Sequence, residues 1–349
     1  MLACLILASH FGVAAAATET VPATSPLVRY EGRVAIDIDS QTVRMAYPGV
    51  TTHLSAHARQ VAMRCDASTD TLFLDVSTNG GPFERRRLEK GEQEVVLYEG
   101  PAEPCDLVVV KRTESWQGLL EVKAFTTDGG DLRAAQPLPE RRLLFIGDSI
   151  TCGSGTDIRP EDPNEGPFTS SGRHTYAWQL SRQLDTQCNL VSYGGRGALR
   201  DWEGKTWPES VNALQFYELS LPDVPGSRWD HSKYNPDIVA IALGANDLNQ
   251  GLPDGDAYVA AYSRLVSRVR DNHPDAWVLL LDCPMFGDGE KREYLGDCLD
   301  TVVERFNGDR IRHVNVGYQP GRPEDSHPTA SQHLEIAREL APIFHDCLE

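Results

Sequence analysis

The sequence has few basic residues for its size, and this excludes several classes of partner. Its 349 residues include 33 lysines and arginines against 51 aspartates and glutamates, a formal net charge of −18 at pH 7. Binding to nucleic acid or to an anionic membrane surface depends on clustered positive charge. We therefore expect neither partner, and a neutral substrate fits this charge better than a polyanion.

Long apolar runs are also missing. The apolar run at the start, in MLACLILASHFGVAAAA (1–17), is too short to span a bilayer, and no later segment qualifies. Its apolar core followed by small residues is typical of a secretory signal peptide. We expect cleavage near Ala16 or Ala17 and a secreted or periplasmic chain with no membrane insertion.

The Cys-x-x-Cys spacing of structural zinc sites is absent as well. Eight cysteines are present, and Cys4 would leave with the signal peptide. An exported chain can form disulfides, and the pairs we favour are Cys65 with Cys105 and Cys283 with Cys298.

Residues 28–135 contain strand patterns and almost no helical periodicity. Short runs such as TTHLSAHA, QVAMRCDA, QEVVLYEG and CDLVVVKRT are separated by Gly, Pro, Asn or polar residues. Seven or eight such runs at this spacing predict an all-β sandwich domain. The turn-rich segment 128–140 is interpreted as a linker.

Residues 141–349 have a different sequence pattern, in which predicted strands alternate with predicted helices. The apolar runs RLLFIG, NLVSYG, DIVAIALG, WVLLLDC and IRHVNVG are typical of strands buried on both faces of a parallel sheet. Amphipathic helical patterns lie between and after them. This alternation predicts a three-layer α/β/α domain, whose active site would lie at the carboxyl ends of the strands.

Chemically suggestive residues lie at or beyond these strand ends. The first strand ends in GDS, with Ser149 last, and the second in the glycine-rich turn YGGRG, which contains Gly195. Asn246 follows the third strand, and His327 precedes the last helix. A serine that attacks an ester needs a histidine base and donors for the developing oxyanion. Backbone N–H groups and an asparagine amide are suitable donors.

These four blocks resemble the SGNH (GDSL-like) hydrolases, serine esterases and lipases of flavodoxin-like fold, over residues 141–349. The resemblance implies that Ser149 is the nucleophile and His327 the base. It implies that Ser149, Gly195 and Asn246 supply the oxyanion donors. The mechanism needs no metal and no organic cofactor.

A narrower resemblance extends to the first domain. GDSITCG and GGRG, with AYPGV and KRTES in the predicted sandwich, resemble carbohydrate esterase family 2. Members of that family remove acetyl groups from plant polysaccharides and carry a jelly-roll domain ahead of the catalytic one. The implied substrate is therefore an acetylated carbohydrate such as acetylated xylan.

The acid that orients His327 is where the sequence departs from the wider pattern. SGNH hydrolases usually place an aspartate three residues before the histidine, and this chain has Glu324 there. Asp325 lies two residues before the histidine. We favour Asp325, while Glu324 and a backbone carbonyl remain alternatives.

Several neighbouring residues have both a structural and a functional interpretation. Asp148 is interpreted as a helix N-cap, and Asp247 either as a structural acceptor or as a substrate contact. His333 is expected to face solvent. Trp202 either lines the cleft or packs in the core, and the β-sandwich either binds carbohydrate or forms a rigid wall beside the cleft.

Three other functions compete with the esterase. A lysophospholipase or thioesterase would need an apolar acyl groove, whereas the loops here are polar and charged. A metal-dependent phosphoesterase would need clustered Asp and His residues, and these are scattered. A non-catalytic carbohydrate-binding protein has no need to keep serine, histidine and asparagine together.

Overall fold

The computed structural model describes residues 18–159, 162, 166–308 and 310–349. The predicted signal peptide, 1–17, lies outside the described residues. No helix within the described part of the chain is long and apolar enough to cross a membrane.

The first part of the chain is all-β, as predicted, and its strands form one large antiparallel sheet. Its strands are β1 (Glu19–Pro22), β2 (Arg29–Glu31), β3 (Ala35–Asp37), β4 (Thr42–Met45), β5 (Thr51–Ala67), β6 (Phe73–Thr78), β7 (Glu84–Arg87), β8 (Gly91–Lys111), β9 (Leu120–Asp128) and β10 (Asp131–Arg133). They pair in the order β3-β4-β9-β5-β8-β6-β7, with β1 on β9 and with β2 and β10 on β5.

Two of these strands are much longer than the sequence predicts. TTHLSAHA and QVAMRCDA belong to the single strand β5, and QEVVLYEG and CDLVVVK to β8. Between the pairs Ala58–Glu103 and Gln60–Glu99 the register shifts, so that β8 has extra residues there. Gly100 and Pro101 lie in this bulge, where no ladder hydrogen bond is needed, and for that reason they do not end the strand.

The second part of the chain forms the predicted α/β/α domain. Its strands are β11 (Arg142–Gly147), β12 (Gln187–Ser192), β13 (Ile238–Ala242), β14 (Trp277–Leu281) and β15 (Ile311–Val314). Its helices are α1 (Ser149–Cys152), α2 (Gly166–Thr169), α3 (Tyr176–Gln183), α4 (Ala213–Tyr217), α5 (Gly255–Asn272), α6 (Glu290–Phe306) and α7 (Ala330–Leu348).

The five strands are parallel in the order β12-β11-β13-β14-β15, which is the flavodoxin-like order 2-1-3-4-5. The interior strand β11 is buried on both faces, and Leu143 to Ile146 are at most 1% exposed. Because the strands are parallel, β11, β12 and β13 bring their carboxyl ends to one edge of the sheet. Ser149, Gly195 and Asn246 follow these ends.

Buried charged contacts join the two domains. Glu31 of β2 is 1% exposed, pairs with Arg182 of α3 and accepts the backbone N–H of Cys188 at 2.7 Å. Arg112, just after β8, is fully buried and donates to Asp157 at 2.6 Å. A buried charge that loses its partner costs several kcal/mol, so these contacts favour one relative placement of the domains.

The predicted disulfides are wrong, since all seven cysteines in the described residues are free. Cys65 and Cys105 do lie on the adjacent strands β5 and β8, but Cys105 is opposite Ala56, nine residues along the strand from Cys65. At about 3.3 Å per residue this offset is roughly 30 Å, far beyond the reach of a disulfide.

Candidate active site

The candidate nucleophile, Ser149, lies two residues beyond the end of β11. Ser149 is the first residue of α1, and Asp148 caps this short helix by accepting the N–H of Ile150 at 3.0 Å. The N-cap interpretation of Asp148 is therefore confirmed. A side chain at Gly147 would clash with Thr151, so only glycine fits at this end of the strand.

The histidine candidate lies within hydrogen-bonding distance of that serine. His327 Nε2 is 2.8 Å from Ser149 Oγ, although 178 positions separate the two residues in the sequence. On its other side, His327 Nδ1 is 2.5 Å from Asp325 Oδ1, which also accepts the His327 backbone N–H at 3.1 Å. Glu324 is exposed. The geometry thus places Asp325, not Glu324, on the histidine, in the order of a serine triad.

The charges around His327 suit its role as a general base. Burial by itself would lower the pKa of His327, but the hydrogen bond and charge of Asp325, with the charges of Glu114 and Asp148, raise it above its usual value. Burial also opposes ionisation of Asp325, yet its bond to His327 keeps the pKa of that carboxyl below its usual value. A negative Asp325 therefore holds the imidazole with Nε2 facing the serine.

The predicted oxyanion donors lie in the same cleft. Asn246 is 9% exposed, and its side-chain amide donates to the carbonyl of Arg196 at 3.0 Å and to Asp148 Oδ2 at 3.4 Å. Gly195 has a left-handed φ of +78°. Ser149, Gly195 and Asn246 all line one cleft, and their role as donors stays a prediction.

Asp247 has the structural role that was one of its two interpretations. It is fully buried and accepts the backbone N–H groups of Ala198, Leu199 and Arg200 at 2.8–3.0 Å. A side chain at Gly197 would clash with its carboxylate. Asp247 therefore holds the glycine-rich turn against the end of β13.

Trp202 lines the cleft and is not a core residue. Its side chain is 52% exposed, and its backbone N–H donates to the carbonyl of Gly195 at 3.0 Å. A Cβ at Gly195 would lie 3.0 Å from the indole, so the ring packs directly beside this turn. Its position makes Trp202 available to stack on a sugar ring.

His333 is a correction to the sequence analysis, because it is buried. Its Nδ1 accepts the backbone N–H of Tyr176 at 3.0 Å, and its ring stacks on that tyrosine. Burial lowers the pKa of His333 to about 3, so it is neutral and supports α3 from the start of α7.

The sequence analysis missed the residues that the antiparallel domain contributes. Glu114 and Trp116, which follow β8, line the same cleft as the predicted catalytic residues. The sequence signal for these two residues is KRTESW, a run of polar, charged and aromatic residues directly after the apolar strand end LVVV. By itself this run indicates neither a cleft nor a partner in the second domain.

The cleft is open and has a volume of about 610 Å³. Its lining combines polar and apolar groups and includes Glu114, Trp116, Ser149, Ser154, Ser170, Tyr193, Gly195, Arg196, Trp202, Ala245, Asn246, Met285, Asp325 and His327. Within the described ranges, no group of three or more His, Cys, Asp or Glu side chains is arranged to hold a metal ion.

Comparisons with known proteins agree with this geometry. Residues 145–309 match the GDSL-like Lipase/Acylhydrolase family. The chain is 32% identical, over 335 residues, to a Cellvibrio japonicus (strain Ueda107) protein named acetylxylan esterase / glucomannan deacetylase. That match covers 95% of this chain and 92% of the relative.

Two solved structures of family two carbohydrate esterases are similar over nearly the whole chain. The one from Cellvibrio japonicus has a TM-score of 0.91 at 31% identity and covers 96% of this chain and 100% of that chain. The one from Clostridium thermocellum, in complex with cellohexaose, has a TM-score of 0.84 at 28% identity and covers 92% and 99%. The chain therefore belongs to the GDSL-like hydrolases and, within them, to carbohydrate esterase family 2.

Proposed function

We propose that this chain is a serine esterase that removes O-acetyl groups from plant-type polysaccharides such as acetylated xylan. The observation that carries the proposal is the chain of contacts from Ser149 Oγ through His327 to Asp325, at 2.8 and 2.5 Å. A turn serine with no catalytic role has no need of a histidine that is itself held by a carboxylate.

The mechanism follows from this geometry in two steps. His327 takes the proton of Ser149 as its Oγ attacks the acetyl carbonyl, and Asp325 stabilises the imidazolium that forms. Donors from Ser149, Gly195 and Asn246 bind the oxyanion. His327 then gives its proton to the departing sugar oxygen, which leaves an acetyl-serine. In the second step His327 activates a water that releases acetate and restores the serine.

The cleft supports a carbohydrate substrate over a lipid. Its lining includes serine hydroxyls, the Asn246 amide and the charged side chains of Glu114 and Arg196, which can form hydrogen bonds to a sugar. Trp116 and Trp202, 50% and 52% exposed, provide apolar faces beside the serine. Because the cleft is open, a polymer can lie across it. The name of the relative, acetylxylan esterase / glucomannan deacetylase, fits this substrate class.

We also propose that the protein is exported and acts outside the cytoplasm, with 28–135 forming a jelly-roll wall of the cleft. An insoluble polysaccharide is met only outside the cell, and 1–17 has the pattern of a signal peptide. N-terminal sequencing of the protein from the culture medium and periplasm tests the export. An intact 1–17 in every extracellular fraction would argue against cleavage.

Acetate release from acetylated xylan and acetylated glucomannan tests the function, with Ser149→Ala as the paired variant. We expect release by the wild type and none above background by the variant. Exhaustive chelation should leave the rate unchanged. A wild type that releases no acetate from either polymer but cleaves long-chain acyl esters would favour the lysophospholipase or thioesterase alternative. Binding of polymer without any hydrolysis would favour a non-catalytic carbohydrate-binding protein.

A further inference from the structure

One carboxylate of the cleft comes from the antiparallel domain and has no part in the mechanism above. Glu114 lies just after β8 and is 3% exposed. A carboxylate is costly to bury without partners, so the groups that it contacts indicate what it is for.

The segment that carries Glu114 is firmly attached to the catalytic domain. Ser115 Oγ donates to the carbonyl of Ser192, at the end of β12, at 2.7 Å. The Gln117 side chain accepts the Glu114 backbone N–H at 2.9 Å. Lys111 Nζ is buried and donates to the backbone carbonyl of Thr113 at 2.8 Å. The backbone of Glu114 is therefore fixed at the edge of the parallel sheet, beside the cleft.

The Glu114 carboxylate contacts three different loops around the cleft. Oε1 accepts the hydroxyls of Ser154, five residues beyond the nucleophile, at 2.5 Å and of Ser170 at 2.8 Å. Oε2 accepts the indole N–H of Trp116 at 3.0 Å. A side chain at Gly194, which precedes the predicted donor Gly195, would clash with Oε2. One side chain thus touches the loops on both sides of the nucleophile.

These contacts favour a positioning role over a merely structural one. A carboxylate that only stabilised the domain interface would be expected to pair with a basic residue, as Glu31 does with Arg182. The three groups that donate hydrogen bonds to the Glu114 carboxylate are neutral and belong to residues that line the cleft. The buried Lys111 interacts with this carboxylate through its charge, but its Nζ donates to backbone carbonyls instead. The negative charge of Glu114 also acts on His327, whose pKa it helps to raise.

We propose that Glu114 is a positioning residue of the esterase centre, which holds the loop after Ser149 and the turn before Gly195 in their catalytic placement. It does not touch the reacting atoms. The proposal rests on the proposed esterase function and adds that the antiparallel domain is part of the catalytic centre.

The test compares Glu114→Ala, Glu114→Gln and Ser154→Ala with Glu103→Gln, which removes an exposed carboxylate of the same domain. With an aryl acetate as substrate, Glu114→Ala should lower kcat about tenfold or more with little change in KM, the pattern of a lost transition-state interaction. Glu114→Gln keeps an acceptor for the two serines and should recover most of kcat. In Glu114→Gln the acid limb of the kcat/KM pH profile should move to lower pH, because the negative charge that helps to raise the pKa of His327 is gone. Glu103→Gln should change neither kcat nor the acid limb of the pH profile.

A second variant keeps the test decisive if Glu114→Ala does not fold. Ser154→Ala removes one hydroxyl only, and it should lower kcat by about threefold or more, since a hydrogen bond to a charged group is worth more than a neutral one. The proposal is overturned if kcat of Ser154→Ala and the acid limb of Glu114→Gln both match the wild type. An inactive wild type would instead contradict the proposed function itself.

Discussion

Replacing Asp325 by Asn should inactivate the enzyme severely, although Asp325 is only half-buried. Asp325 Oδ1 is 2.5 Å from His327 Nδ1, so it fixes the tautomer that leaves Nε2 free to accept the Ser149 proton. An Asn amide N–H in that place favours the opposite tautomer, in which Nε2 carries a proton and cannot act as a base. The loss therefore falls on kcat.

The magnitude follows from comparison with a fully buried triad. Removal of the carboxylate there lowers turnover about ten-thousand-fold, or ~5.4 kcal/mol. The Asp325 side chain is 28% exposed, so solvent screens part of its interaction. We accordingly expect a loss of at least about a hundredfold, or ~2.7 kcal/mol.

Steady-state hydrolysis of an aryl acetate measures this loss, with Glu324→Gln as the matched control one residue away. Glu324 is exposed, and its variant should stay within about twofold of the wild type, less than ~0.5 kcal/mol. If Asp325→Asn and Glu324→Gln both stay within about tenfold of the wild type, no carboxylate orients His327 strongly. The site would then act as a Ser–His pair oriented by a backbone carbonyl.

Three further predictions follow from the site. Gly155→Ala should lower kcat, because the new Cβ would lie 2.6 Å from Asp325 Oδ2. Gly80→Ala is the control, since Gly80 has nearly the same φ (+70° against +71°) and open space around it, so this variant should suffer only the backbone strain. Thermal unfolding and kinetics of both variants separate the backbone strain from the clash with Asp325. Activity should fall at low pH with a midpoint above 6.5, since the pKa of His327 is raised and the base works only when neutral; a kcat/KM profile with its midpoint below 6.5 contradicts this. Rates on aryl esters should fall steeply beyond propionyl, because an overfilled acetyl pocket costs about 1–3 kcal/mol; preference for octanoyl contradicts it.

The parallel sheet was predictable because its strands are buried on both faces. Leu143 to Ile146 form a continuous apolar run of the kind found in such strands, and a residue just beyond the strand lies at the sheet edge. Ser149, Asn246 and His327 could be found for the same reason, since each follows or precedes a strongly patterned element.

The antiparallel domain was predictable in class but not in strand length or register. Gly100 and Pro101 usually end a strand, yet here a bulge accommodates them and β8 continues. Register also decides which cysteines meet, and spacing along the chain carries no information about it. The pairing of Cys65 with Cys105 was therefore wrong.

Residues whose role depends on contact between domains or helices were the hardest to predict. Nothing local to KRTESW shows that Glu114 reaches Ser154, because the docking of one domain on the other brings them together. His333 lies near His327 in the sequence, but its helix turns it toward Tyr176. The sequence alone does not show that His333 is buried, because its burial depends on packing against Tyr176.

The central claim is that Ser149 is the nucleophile, and covalent labelling tests it most directly. An aryl organophosphate transfers its phosphoryl group to an activated serine and releases the aryl oxide, so the intact mass and a peptide map locate the modified residue. We predict one adduct per chain, on the peptide that contains Ser149, and none in Ser149→Ala or His327→Ala under the same conditions. An active wild type that carries no adduct, or carries it on another residue, would contradict the account.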